Sequence, residues 1–321
     1  MRTLALPEIR AALVYPEVID RMRDAVIAYS RGECEMPMPM HLDIEPGAEV
    51  HIKSSYRRGG RHFALKIAST FPGNTARSLS TGNGMMLLSS AETGEPELFL
   101  ADAGHLTDVR TAAVAAMAAR ELGRTDTSIG ILGTGIQARL QAQLHAEVLD
   151  LQQVWLWGRH AEHAARCADD ILVLLPRVEV VLAVSPENVA QQTRLIVTAT
   201  ASREPLLRID DLRPGTHISA VGSDSPGKHE LDPEILRRAA VLLVDSLPQC
   251  EKLGELQHAP DARDRAIELG SFCLRPPRAS APPARAGREA HLTVCDFTGL
   301  GAEDLFIAEY VYESRCPGEH P

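Results

Sequence analysis

The stretch Asp126-Thr-Ser-Ile-Gly-Ile-Leu-Gly-Thr-Gly-Ile-Gln-Ala-Arg139 passes from a short apolar segment into Gly133-x-Gly135-x-x-Ala138 and then into a helical pattern. A strand that turns on glycines straight into a helix has the form of a dinucleotide-binding turn. Gly133 permits the sharp bend, Gly135 lacks the Cβ that would hold a pyrophosphate off the backbone, and small Ala138 lets the helix pack close to the sheet. The helix start at Ile136 and Gln137 then presents free N–H groups and the positive end of its dipole to the phosphates. The flanks agree with this reading, because an amphipathic helix follows over 136–149 and a second strand over 153–157. An ordinary glycine-rich strand-to-helix turn is the competing explanation.

The end of that second strand bears on the cofactor. NAD sites place an Asp or Glu about 20 residues past the glycines to hold the ribose 2′-OH, whereas NADP sites accommodate the 2′-phosphate with Arg. Here the chain reads Trp157-Gly158-Arg159-His160, with no carboxylate before Glu162. This favours NADP(H), with NAD(H) as the alternative if Arg159 is only a solvated loop residue.

Length and composition fit such an enzyme. The 321 residues suffice for two domains with a core each. A net charge of -10 argues against nucleic acid or an anionic membrane as partner, so an anionic substrate must be met by a few local cations. The six cysteines are scattered without a Cys-x-x-Cys pair, which suits reduced thiols in a cytoplasmic protein and implies neither a disulfide frame nor a metal. The reading also expects no signal peptide and no membrane span, since no long apolar run occurs.

The first hundred residues differ from the middle of the chain. Residues 15–29 have helical periodicity, and short strands are expected over 51–56, 63–69, 84–90 and 97–102, separated by Gly, Pro and Asn. That pattern suggests an antiparallel sheet. From Thr107 a helix over 107–122 introduces alternating strands and helices, with further strands over 194–198, 217–221 and 241–245, the pattern of a doubly wound parallel sheet. The Pro-rich segment 276–289 reads as a surface loop.

Several segments together resemble the ornithine cyclodeaminase and μ-crystallin family. They are Leu106-Thr-Asp-Val-Arg110-Thr-Ala-Ala, the glycine turn with Arg139 and Gln141, Ile196-Val-Thr-Ala-Thr200, Val221-Gly-Ser-Asp224-Ser-Pro-Gly-Lys228-His-Glu-Leu231, and Asp296-Phe-Thr-Gly299-Leu-Gly301. The likeness runs nearly the whole length and is closest to the branch found with ectoine-degradation genes. It implies an α/β protein in which residues 1–112 and 302–321 form a mixed, largely antiparallel domain for substrate and dimerisation, and 113–301 a Rossmann-type NAD(P) domain. It further implies a homodimer acting at the α-carbon of amino or imino acids, and it adds Thr198, Ala199, Thr200, Val221 and Gly222 to the glycine turn as cofactor-binding positions.

Three residues carry the expected chemistry. Lys66 sits in the otherwise apolar Phe63-Ala-Leu-Lys-Ile-Ala68, where an outward-facing lysine is the commoner reading; the resemblance implies a grip on the substrate carboxylate. Arg110 falls in the expected first turn of the helix from Thr107, where the dipole disfavours a cation. Pairing a carboxylate through its fork would account for it, as would a structural ion pair to Asp108 or Asp102. Asp224 follows the expected strand 217–221 and so lies outside the carboxyl end of the sheet, where doubly wound folds bind ligands, although Asp-Ser-Pro-Gly is also a good turn. The resemblance implies that it handles the proton of the reacting nitrogen. Lys228, four residues on, is either its partner or, as the commoner reading, a solvated loop residue.

Two departures from the family pattern matter for specificity. Cyclodeaminases of the family carry an arginine in the segment corresponding to Met36-Pro-Met-Pro-Met-His41, where this chain has Pro39 or Met40, and a glutamate near His51, where it has Val50-His51-Ile52. His41, His51 and Lys53 are the candidate replacements. The expected reaction is therefore reduction of an α-imino acid, cyclic and of the pyrroline-2-carboxylate type. An ornithine cyclodeaminase that recycles NAD+, and a non-catalytic crystallin-like binding protein, are the alternatives.

Overall fold

A computed structural model describes residues 1–275 and 291–315, so the segment expected as a surface loop over 276–289 lies outside the described residues, as does Cys316. The chain divides into two compact units, Met1–Arg110 with Leu300–Pro321, and Thr111–Gly299.

The first unit is built on a seven-stranded sheet of β1 (Arg2–Ala5), β2 (Cys34–Glu35), β3 (Met40–Glu45), β4 (Ala48–Arg57), β5 (His62–Thr70), β6 (Gly82–Ser90) and β7 (Pro96–Ala101). Its order is β1-β7-β6-β5-β4-β2, with β3 also on β4, and every pairing is antiparallel except β1 with β7. Burial alternates along β5, where His62, Ala64 and Lys66 are buried. Lys66 therefore points into the protein, contrary to the common placement of a strand lysine. That face is covered by the helix Gly301–Arg315, which lies across β4, β5 and β6 and packs against the helix Tyr15–Ser30. The covering helix is buried nearly all round, as a core helix is. It begins at a glycine because a Cβ on Gly301 would stand 2.9 Å from the Ser54 carbonyl oxygen.

The next helix starts two residues before the sequence suggests. Asp102 accepts from the Gly104 and Leu106 N–H groups at 3.2 and 2.7 Å, capping the helix His105–Glu121. Arg110 is thus in the second turn, beyond the reach of the dipole argument, and its environment has to be explained by its neighbours.

In the second unit β8 (Ser128–Leu132), β9 (Gln153–Trp157), β10 (Glu179–Leu182), β11 (Leu195–Thr198), β13 (His217–Ala220), β15 (Val241–Val244), β16 (Ala266–Glu268) and β17 (Thr293–Asp296) make one parallel sheet. The strands β12 (Arg203–Leu207) and β14 (His229–Leu231) form a separate pair. The large sheet runs β10-β9-β8-β11-β13-β17-β15-β16, so the direction of winding reverses between β8 and β11, the place where doubly wound sheets bind ligands. Its central strands β11, β13 and β17 are buried at every residue, as expected for a parallel sheet covered on both faces.

Candidate active site

The glycine turn stands at the winding reversal. Gly133 has φ +126°, and a Cβ there would lie 2.3 Å from the Ala199 carbonyl oxygen, so the ends of β8 and β11 approach closely only with glycine at this position. Gly135 is different, because a Cβ would meet nothing within 4 Å. Protein packing does not explain it, whereas a pyrophosphate lying against the backbone does. Gly135 caps the helix Ile136–Ala146, with Ile136 and Gln137 in its solvent-facing first turn and Ala138 fully buried against the sheet. Arg139 steadies the turn, its Nη1 donating to the Thr134 and Gly135 carbonyls at 2.9 Å each while its Nε bonds Asp170.

A groove of about 280 Å³ opens over this turn, with Gly135, Gly158, Arg159, Thr200 and Leu206 among its walls. Arg159 is exposed at its rim and forms no ion pair with a described residue. These residues fit a dinucleotide.

The floor of the groove is held by a residue the sequence reading passed over. Glu230 is fully buried and accepts hydrogen bonds from Thr198 Oγ1, the Thr200 N–H and Thr200 Oγ1 at 2.7 Å each and from the Gly222 N–H at 3.1 Å. It ties the carboxyl end of β11 to that of β13, and Gly222 must be glycine because a Cβ would stand 2.4 Å from the Thr200 carbonyl oxygen. Behind it, Glu255 accepts from the Glu230 and Leu231 N–H groups, and Asp296 from those of Glu255 and Leu256. Burial raises the pKa of all three acids, that of Asp296 to about 7. Asp245 in turn accepts from the Thr298 and Gly299 N–H groups, fixing the Asp296-Phe-Thr-Gly299 segment.

Asp224 follows the end of β13, as expected. Its Oδ1 accepts from Lys228 Nζ at 2.5 Å and from Ser225 Oγ at 3.1 Å, and its side chain is 46% exposed. Lys228 is therefore its partner and not merely a solvated loop residue.

In the first unit Lys66 and Arg110 are brought together, and both are almost completely buried. Their acids are neighbours on the covering helix, which sequence reasoning did not identify. Lys66 Nζ lies 3.0 Å from Asp304 Oδ2, Arg110 Nε donates to Asp304 Oδ1 at 3.0 Å, and Arg110 Nη1 donates to Glu303 Oε2 at 2.9 Å. Lys53, buried and directly opposite Lys66 in the β4–β5 register, adds a third cation. Burial lowers the Lys66 pKa to about 7 against the opposing pull of Asp304. Burial also pushes the Asp304 carboxyl upward, but the charges of Lys66, Arg110 and Lys53 outweigh it and leave the pKa below the usual value. Nearby Asp102 is raised toward its neutral form by burial. Three cations thus face the two carboxylates of Glu303 and Asp304, an arrangement that can accept a further carboxylate.

Of the candidate replacements for the missing family grips, Lys53 joins this group. His41 and His51 instead pair with each other across β3 and β4. The five cysteines among the described residues are free thiols, and no described helix is long and apolar enough to cross a membrane.

Comparisons with known proteins identify the family. A model of the ornithine cyclodeaminase/mu-crystallin family matches residues 3–319. A putative dehydrogenase of Rhizobium meliloti is 37% identical over 97% of this chain and 95% of its own. A Delta(1)-pyrroline-2-carboxylate reductase of Bacillus cereus is 32% identical over 82% of this chain and 80% of its own. Among solved structures, an archaeal alanine dehydrogenase dimer with bound NAD superposes with a TM-score of 0.87 at 26% identity, covering 98% of this chain and 96% of that one. With the family model matched over residues 3–319 and a relative 37% identical across almost the whole length, the chain belongs to the ornithine cyclodeaminase/mu-crystallin family.

Proposed function

We propose that the protein is an NAD(P)H-dependent reductase of α-imino acids, with cyclic imines of the pyrroline-2-carboxylate type as its substrate class. The observation that carries this reading is the buried group of Lys53, Lys66 and Arg110, which outnumbers its two acids. Such a group suits a small carboxylate held out of water. When bound, the reduced nicotinamide supplies the hydride. Lys66 and Arg110 clamp the carboxylate and so fix the α-carbon. As electron density moves onto the nitrogen, Asp224 in its protonated form, or a water it orients, delivers the proton there and regains one from solvent, while Lys228 positions the carboxylate that results.

The test is spectrophotometric. Steady oxidation of the reduced cofactor by pyrroline-2-carboxylate is the expected result, while ornithine converted to proline and ammonia without net cofactor change would indicate the cyclodeaminase cycle instead. The pH profile adds a second reading. The Lys66 ammonium is the form that binds the carboxylate, and it is lost as pH rises through about 7 in the free enzyme. Accordingly kcat/KM should decline above about pH 7, by up to about tenfold per unit. In Lys66→Met that decline should disappear, which separates the lysine from any titration of the imine itself.

The cofactor preference rests on Arg159, exposed on the groove rim, with no carboxylate among the described residues that line the groove. NADPH should bind about tenfold to a hundredfold more tightly than NADH, because a charge-assisted contact to the 2′-phosphate is worth about 1.5 to 3 kcal/mol. Fluorescence titration checks this, and Arg159→Asp should reverse the order; equal affinities in the unmodified protein would refute the assignment.

A homodimer built on the first unit is part of the proposal. Met40, Leu42 and Ile44 alternate along β3 onto one face and are 57%, 43% and 57% exposed, with Met85 of β6 a further 40% exposed. An apolar strand face of this kind is best accounted for by a second copy.

A further inference from the structure

The geometry points to a divalent transition-metal site on the β3–β4 hairpin, formed by His41, Glu49 and His51, with zinc as the ion it fits. Nothing in the linear sequence suggests it, because the spacing follows no metal-binding motif; the site arises from strand register. His41 and His51 are directly opposed across the antiparallel pair, and Glu49 precedes His51 by two residues, so all three side chains emerge on one face of the hairpin. Their ligand atoms all lie within 4.8 Å of one another. Glu49 offers one carboxylate oxygen 3.9 Å from His41 Nε2 and the other 3.5 Å from His51 Nε2. A tetrahedral ion with bonds of about 2.1 Å separates its ligands by roughly 3.4 Å, so small side-chain rotations would close the set.

The state of His51 supports the same conclusion. Its Nε2 is buried and has no hydrogen-bond partner among the described residues, although a carboxylate oxygen is only 3.5 Å away. A ring nitrogen so placed is poorly used by the protein alone and is well used by a metal. Asp43, whose Oδ1 lies 2.9 Å from His41 Nε2, is on hand as a fourth ligand. Two imidazoles with carboxylates suit zinc and its neighbours in the transition series, whereas calcium and magnesium require oxygen ligands throughout. The consequence is mechanical. All six residues of β3 are exposed, and its ladder to β4 is interrupted between Asp43 and Glu45. An ion held by His41 of β3 and by Glu49 and His51 of β4 would clamp this edge strand to its neighbour.

The test uses the full chain, first dialysed against a chelator. Calorimetric titration with Zn2+ should give one site per chain, and hydrogen exchange of the β3 amides should slow on loading. His51→Ala should abolish that site, and Glu49→Gln, which keeps size and shape and so preserves the fold, should weaken it by more than about tenfold. The exposed His160–His163 pair, with ring centroids 5.3 Å apart, is the competing location, and its double alanine variant should bind zinc normally. Unchanged zinc binding in His51→Ala, loss of binding in the His160/His163 variant, or no binding by the unmodified chain would each overturn the assignment.

Discussion

Arg110→Ala is expected to weaken substrate binding and the fold together, and the two effects can be measured apart. The guanidinium is buried between Glu303 and Asp304, so its removal leaves two acids in the interior with Lys66 and Lys53 to face them. Breaking a buried pair from one side typically costs about 3 to 5 kcal/mol. A loss of that size should appear in urea unfolding of the free protein. The substrate carboxylate loses the same cation, so KM should rise by about a hundredfold or more while cofactor titration is unchanged. Arg110→Lys sharpens the distinction, since lysine keeps the charge but lacks the fork that reaches both acids. If the lysine variant is less stable yet keeps its KM, Arg110 serves the fold and not the substrate.

Asp224→Asn is expected to reduce turnover by about a hundredfold to ten-thousandfold, the usual contribution of a positioned acid or base. Asparagine preserves size and can still accept from Lys228, but it cannot carry a proton. The fold should be almost unaffected, because the Asp224 side chain is 46% exposed and a pair in such a position contributes at most about 1 kcal/mol. Cofactor affinity should hold as well. Near-normal rates in a variant with an unchanged melting temperature would rule out proton transfer by Asp224 and assign the proton to another donor.

Much of the fold is legible in the sequence because its signals are local. Burial alternates with period two along β5 and β7, and the central parallel strands are short apolar runs bounded by turn residues. The glycines report their own environments, Gly133 through a positive φ and Gly135 through the open space beside it. Less legible are the short elements away from the core. Strand β3 alternates Met40, Leu42 and Ile44 with polar residues yet has no buried residue, and β10 has only two partly buried valines.

The site is legible to the extent that each residue announces itself alone. A lysine in an apolar strand and an arginine near a helix start are conspicuous, but their acids are not. Glu303 and Asp304 lie about two hundred residues further along the chain from Arg110, and only the packing of the last helix over β4 to β6 brings them in. The same holds for Glu230, an ordinary glutamate in sequence whose four acceptor bonds exist only once β11 and β13 are side by side. The opposition of His41 and His51 likewise depends on a hairpin register that residue spacing does not specify.

The central claim is hydride transfer to the α-carbon of an imino acid. It is tested most directly by reducing pyrroline-2-carboxylate with cofactor deuterated at the transferring C4 position and examining the product by mass spectrometry and proton NMR. The proposal predicts proline carrying one deuterium, at the α-carbon, with the Asp224→Asn variant placing it at the same position more slowly. Proline without deuterium, or no product from this imine or from any other α-imino acid supplied, would contradict it.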